Sequence, residues 1–172
     1  QKAHGYYSQG FGSLAMLVEG VHLSSDGFKT LNSEQDTGFD KNEALLKLSY
    51  VPQDSGYEQF WLFKAGISTE ESNETYLGLT DEDFSTDPNH RYLASQNDKM
   101  DWEHYQFQLA HYIELNSDLN LYTQAYHREF DRDWDRFNGF DSSRTMQTIL
   151  SSPDTGLNSL FMQVIDGERD SS

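Results

Sequence analysis

The chain has 172 residues, with 29 acidic against 12 basic side chains, a formal net charge of -17 and no cysteine. That balance leaves no basic surface to neutralise phosphates, which argues against a nucleic-acid partner. The missing thiols exclude disulfides and thiolate metal sites. An aromatic content of 14% argues against disorder despite the acidity, and no apolar run reaches the roughly eighteen residues of a transmembrane helix.

Six strands are predicted in chain order: residues 3–10, 13–24, 40–50, 57–68, 101–115 and 119–131. Most approach the nine to eleven residues or so with which a tilted strand crosses a bilayer. Strands elsewhere average about five or six. The second segment is apolar on both faces from Leu14 to Val18, so its pattern does not orient it. The third has period two, with Ala44, Leu46, Leu48 and Tyr50 opposite Glu43, Leu45, Lys47 and Ser49. The fourth sets Trp61, Phe63, Ala65 and Ile67 against Leu62, Lys64, Gly66 and Ser68. The fifth alternates Tyr105, Phe107 and Leu109 with Gln106, Gln108 and Ala110, while the sixth, ambiguous in its facing, opposes Leu121, Thr123 and Ala125 to Tyr122, Gln124 and Tyr126.

The connections alternate in length. Residues 11–12, 52–56 and 116–118 are short; residues 25–39, 69–99 and 137–172 are long. Tight turns at one rim and long loops at the other are the layout of a transmembrane β-barrel. The predicted fold class is therefore all-β: an antiparallel up-and-down transmembrane β-barrel, partial at about six strands, with long extracellular loops. Aromatic residues near the strand ends fit girdles at the headgroup level: Tyr50, Tyr57, Trp61, Trp102, Tyr105, Tyr112, Phe130 and Trp134. In the last loop, Leu157, Leu160, Phe161, Val164 and Ile165 follow helical spacing, and Gly167 is a natural stop. After Asp170-Ser171-Ser172 no strand follows to close the sheet.

Few motifs carry chemistry. Asp36-Thr37-Gly38 and Asp154-Thr155-Gly156 have the triplet of aspartic proteases. Their flanks, Ser33-Glu34-Gln35 and Ser151-Ser152-Pro153, are loop-like, so both read as turns. The acidic run from Asp81 to Asp87 lacks the ligand alternation and glycine of a Ca²⁺ loop. No histidine pair has metal-ligand spacing; His104 and His111, seven apart on a strand, fall on opposite faces. Neither catalytic nor metal-binding residues are expected, nor a cofactor. The scarce cations cluster as His90 with Arg91, and as Arg128, Arg132 and Arg136. Pointing into a funnel they would attract an anionic ligand; local pairing with Glu129, Asp131, Asp133 and Asp135 is the competing account.

The run Ser72-Asn73-Glu74-Thr75-Tyr76-Leu77-Gly78-Leu79-Thr80, followed by Asp81-Glu82-Asp83-Phe84, closely resembles a stretch of TonB-dependent outer-membrane receptors of the ferric-citrate type. Ser25-Asp26-Gly27-Phe28 is similar to that family's strand-to-loop exit. Arg91-Tyr92-Leu93-Ala94-Ser95-Gln96, leading to Met100-Asp101-Trp102, and Phe130, Arg132 and Trp134 follow in the family's order. The resemblance implies a 22-stranded barrel with an N-terminal plug, moving an iron chelate into the periplasm on energy from the TonB complex. Residues 1–172 match a middle portion of the barrel, without the plug or its TonB contact. The chain starts without Met, as expected of a segment of something longer or of a processed chain. The partners implied are a ferric chelate (ferric citrate or another siderophore), outer-membrane lipid, and the TonB complex through the plug. The implied location is the bacterial outer membrane, with transport and no enzymatic step. Arg91, Tyr92, Arg128 and Arg132 are the ligand-facing candidates. The alternative is a soluble carbohydrate-binding β-sandwich or glycosidase, with aromatics stacked on sugars; it requires two closed sheets, not one.

Overall fold

The computed structural model describes residues 1–33 and 35–170. Glu34, which flanks the first Asp-Thr-Gly triplet, and Ser171 and Ser172 lie outside the described residues. The chain is mostly antiparallel β, 53% strand and 14% helix. Six long strands form one sheet: β1 (Lys2–Phe11), β2 (Leu14–Ser25), β4 (Phe39–Tyr50), β5 (Glu58–Asn73), β7 (Lys99–Asn116) and β8 (Leu119–Asp135). Their spatial order is β1-β2-β4-β5-β7-β8, so each pairs with its neighbour in sequence and no connection crosses another. The sheet is not closed. Two two-residue strands, β3 (Thr30–Leu31) and β6 (His90–Arg91), pair in parallel as a separate ribbon.

All six predicted strands form, and the differences lie at their ends. β5 continues to Asn73, five residues past the predicted limit, and β8 continues to Asp135. Apart from Trp134 the added residues are polar or charged, so no apolar alternation announces them; the ladder lengthens because backbone pairing does not depend on it. At 16, 18 and 17 residues, β5, β7 and β8 are roughly three times the ordinary strand length.

By its contacts the chain divides into two compact units. The strand unit comprises residues 1–24, 40–70 and 102–132; the loop unit comprises residues 25–39, 71–101 and 133–172.

In the strand unit, side-chain contacts assign each strand's two faces. β1 and β2 pair from Lys2 with Leu23 to Phe11 with Leu14, which puts Ala3, Gly5, Tyr7 and Phe11 on the face of Leu14, Met16, Val18 and Gly20. His22 Nδ1 lies 2.9 Å from Asn42 Oδ1, joining the Ala44, Leu46, Leu48 and Tyr50 face of β4 to that side. On the opposite side Ser68 donates to Glu43 at 3.2 Å, so Trp61, Phe63, Ala65 and Ile67 fall with Ala44 and Leu46. Trp61 stacks on His111 with ring centroids 3.7 Å apart, which adds Tyr105, Phe107, Leu109, Ile113 and Leu115. Trp102 meets Phe130 at 5.8 Å on the other side, leaving Leu121, Thr123 and Ala125 of β8 with the apolar set. The two strands whose pattern left them open, β2 and β8, are thus oriented by their neighbours.

One face of the sheet is consequently mainly apolar, interrupted by His22, Asn42, Gln59 and His111. The other is mixed and polar, carrying Glu19, Lys41, Glu43, Lys47, Lys64, Ser68, His104, Gln106 and Gln108. Nothing within the strand unit covers the mainly apolar face: Phe107 is 47% exposed and Leu109 46%. Ala110, on the polar side, is the only buried residue of this unit among those described. β1 and β8 are exposed along their whole length. On β7 the positions of this side run from Tyr105 to Leu115 and are apolar except for His111. Ten steps of about 3.3 Å give roughly 33 Å along the strand, or about 23 Å of height at a 45° tilt.

The loop unit is organised differently. Its helices are α1 (Asp81–Thr86), α2 (Met146–Leu150) and α3 (Leu157–Ile165), with a 3₁₀ turn at Leu93–Ser95. Leu77, Tyr92, Ile149, Met162 and Ile165 form a buried core, with Leu79, Phe137, Phe140 and Phe161 packed around it. The predicted C-terminal helix is α3, and Gly167 ends it at φ 78°. Gly167 N–H donates to Val164 O and Glu168 N–H to Gln163 O, the paired bonds of a Schellman cap. A β-carbon there would lie 2.2 Å from Leu93 Cδ2, so the position requires glycine twice over. Helices α1 and α2 are absent from the sequence reading; both are too short for a period to register.

Candidate functional site

Each unit presents a cleft. In the strand unit, Glu19, Glu43, Ser68, Trp102, His104 and Gln106 of the polar face surround about 350 Å³. Trp102 provides its aromatic wall, with Lys41 Nζ 5.4 Å from the ring centroid. The cleft's cation and acids largely answer one another: Lys41 pairs with Glu43 at 3.0 Å, and His4 with Glu19 at 2.8 Å.

The loop unit's cleft holds about 430 Å³ between residues 76–81, 136–138 and 146–151. Its walls are Leu77, Leu79, Met146 and Leu150, interrupted by Asn138, Gln147 and Asp81. Arg136 stands at its edge, with its guanidinium carbon 4.9 Å from the centroid of Tyr76 and 4.8 Å from that of Trp134. The two rings meet edge to face at 4.7 Å. A buried carboxylate fixes this corner. Asp98, 1% exposed, accepts from Phe137 N–H at 2.7 Å and from Tyr76 N–H at 3.0 Å, while its own carbonyl accepts from Glu74 N–H at 2.8 Å. One side chain therefore ties the segment that carries Tyr76 to the segment that carries Trp134 and Arg136.

The four ligand-facing candidates separate. Arg91 and Tyr92 belong to the loop unit, Arg128 and Arg132 to the strand unit. Tyr92 is 2% exposed and offers no surface to a ligand. Its hydroxyl accepts from Thr80 N–H and donates to Asp83, and burial followed by the Asp83 contact pushes its pKa up to about 12. Arg91 is spent on backbone, donating to the carbonyls of Pro88 and His90. Arg128 is exposed, 5.8 Å from the Tyr126 ring centroid, and shares with exposed Arg132 and Phe130 the polar side of β8. The sequence reading named Arg136 among the clustered cations and left it out of the candidates. Its nearness to Tyr76, 60 positions away, has no signature in the sequence.

The remaining motifs do structural work. Thr80 caps α1, its hydroxyl accepting from Asp83 N–H, so the acidic run is a helix first turn, where carboxylates suit the dipole. Asp36 accepts from Gly38 N–H at 3.0 Å and from Asn73 at 2.8 Å, and these bonds lower its pKa. In the second triplet, Thr155 donates to Ser152 O and Gly156 precedes α3. No group of His, Asp or Glu among the described residues could hold a metal ion. The run from Ser72 to Thr80 that carries the family resemblance buries Ser72, Thr75, Leu77 and Thr80, so it mainly supplies the framework. No family model, curated protein or solved structure matches the chain.

Proposed function

We propose that this chain is part of the wall of a transmembrane β-barrel in the bacterial outer membrane, from a TonB-dependent receptor for an iron chelate. The observation that carries the membrane reading is the sheet's predominantly apolar face, left uncovered within the strand unit opposite a polar one. A face of that size requires a solvent that is not water. The apolar height of about 23 Å on β7 agrees with the outward band of roughly 25 Å on such barrels. Strands of 16 to 18 residues, next-neighbour order and alternating short and long connections support the same reading. The exposed edges of β1 and β8 suit continuation by further strands.

The iron chelate rests on the sequence resemblance alone. The ligand class follows from the family, and ferric citrate and other siderophores fit it equally. The barrel does no covalent chemistry; transport needs different affinities in the loaded and released states. A β-sandwich would require a second layer, and the β3–β6 ribbon of two residues per strand is too small to be one.

The test is uptake. Removing the parent coding sequence from the producing bacterium should abolish accumulation of one labelled ferric chelate under iron limitation, and restoring it should recover uptake. Unchanged uptake across a panel of ferric citrate, hydroxamate and catecholate chelates would refute the transport reading.

A further inference from the structure

Within this acidic chain Arg136 is a cation held beside a cleft without being neutralised. Arg136 lies against the Tyr76 and Trp134 rings, and among the described residues no carboxylate stands within ion-pairing distance of it. Ring faces attract and orient a guanidinium but carry no net negative charge, so its planar fork of donors stays available. Asp98 anchors the backbone at both Tyr76 and Phe137, so the cluster's supports are fixed before any ligand arrives. Beside the fork lies the cleft lined by Leu77, Leu79, Met146 and Leu150. Asp81 lines the same cleft and opposes a second negative charge there.

We propose that the Arg136–Tyr76–Trp134 cluster and its cleft bind a small monocarboxylate with an apolar portion. The carboxylate takes the guanidinium fork in paired hydrogen bonds, and the apolar portion lies on the Leu77–Met146–Leu150 wall. The site goes beyond the transport reading, because it lies within the loop unit and needs no bilayer.

The experiment uses the full chain in detergent micelles, labelled with ¹⁵N at its three tryptophans. Benzoate is the probe, with benzyl alcohol and inorganic phosphate as controls. Benzoate should shift the Trp134 indole signal saturably at millimolar concentration and leave those of Trp61 and Trp102 in place. Arg136→Gln should raise the benzoate Kd about tenfold or more. Arg136→Lys, which keeps the charge and loses the planar fork, should fall between, and it serves as the readout if the glutamine variant does not fold. Neither control should bind. The proposal is overturned by an unsaturable Trp134 response, by an unchanged Kd in both variants, or by equal binding of phosphate or benzyl alcohol.

Discussion

The strand unit and the loop unit solve the same problem with opposite means. The loop unit buries Ile149 and Ile165 completely and joins its segments through buried polar groups such as Asp98 and Asn158. The strand unit, with six long strands, buries Ala110 and nothing else among its described residues. Its apolar side chains are more numerous, yet they are spread along open strands, most densely on one face. A core made of the chain's own side chains suits contact with water. A sheet with an apolar face and no core suits a medium that supplies the missing layer, since backbone groups between its paired strands are satisfied within the ladder.

That contrast is broken most forcefully from the loop side. Ile149→Ala leaves a cavity in the one true core, at a cost of about 3 kcal/mol. Amides around Tyr92 should lose about two decades of hydrogen-exchange protection, with β1–β2 amides unchanged; protection falling equally in both units would deny that the core belongs to one. Asp98→Ala removes two hydrogen bonds to a buried carboxylate and leaves two N–H groups unpaired, costing about 3 kcal/mol. Its exchange signature should centre on Glu74, Tyr76 and Phe137.

The strand side is sharpened by a pair of neighbours. Leu109→Arg puts a charge on the apolar face, and Gln108→Arg puts the same charge on the polar face. In lipid vesicles the first should cost about 2 to 4 kcal/mol and the second under about 1. Equal costs in a denaturant titration would remove the distinction between the faces.

The smallest effect is in the pH dependence. Hydrogen bonds from Gly38 and Asn73 lower the Asp36 pKa below 3.8 in the folded chain. Their contribution is therefore complete above pH 3.8 and is lost as pH falls through the lower folded value. Protection at Asn73 and Gly38 should weaken only in that acid range, and Asp36→Asn should flatten the response.

The strand unit was largely legible because period two survives wherever one face is apolar. Ala44 to Tyr50 and Tyr105 to Leu109 announce both the strand and the side. β2 and β8 could not be oriented alone, since Leu14–Val18 is apolar on both faces; register with β1 and the Trp102–Phe130 contact supply what their pattern lacks. Apart from the α3 helix, the loop unit reads as plain connections because Leu77, Tyr92, Phe137 and Ile149 are scattered and aperiodic. The signal present in the sequence is the N-cap residue type, Thr80 for α1 and Thr145 for α2. The aromatic belt read from strand ends also divides, with Tyr50, Trp61 and Tyr105 on the apolar side and Trp102, Tyr112 and Phe130 on the polar one. Proximity to a strand end does not fix a face; parity does.

The lack of native cysteine makes the decisive measurement direct. Single cysteines at positions 105 to 113 of β7, each carrying a nitroxide, can be tested in lipid vesicles for collision with oxygen, which dissolves in acyl chains, and with a water-soluble nickel chelate. The account predicts period two: Tyr105, Phe107, Leu109 and Ile113 sites reached by oxygen and shielded from nickel, Gln106, Gln108 and Tyr112 sites the reverse. Uniform access to nickel at both sets, or exclusion of both probes from the apolar set, would contradict a face turned towards lipid.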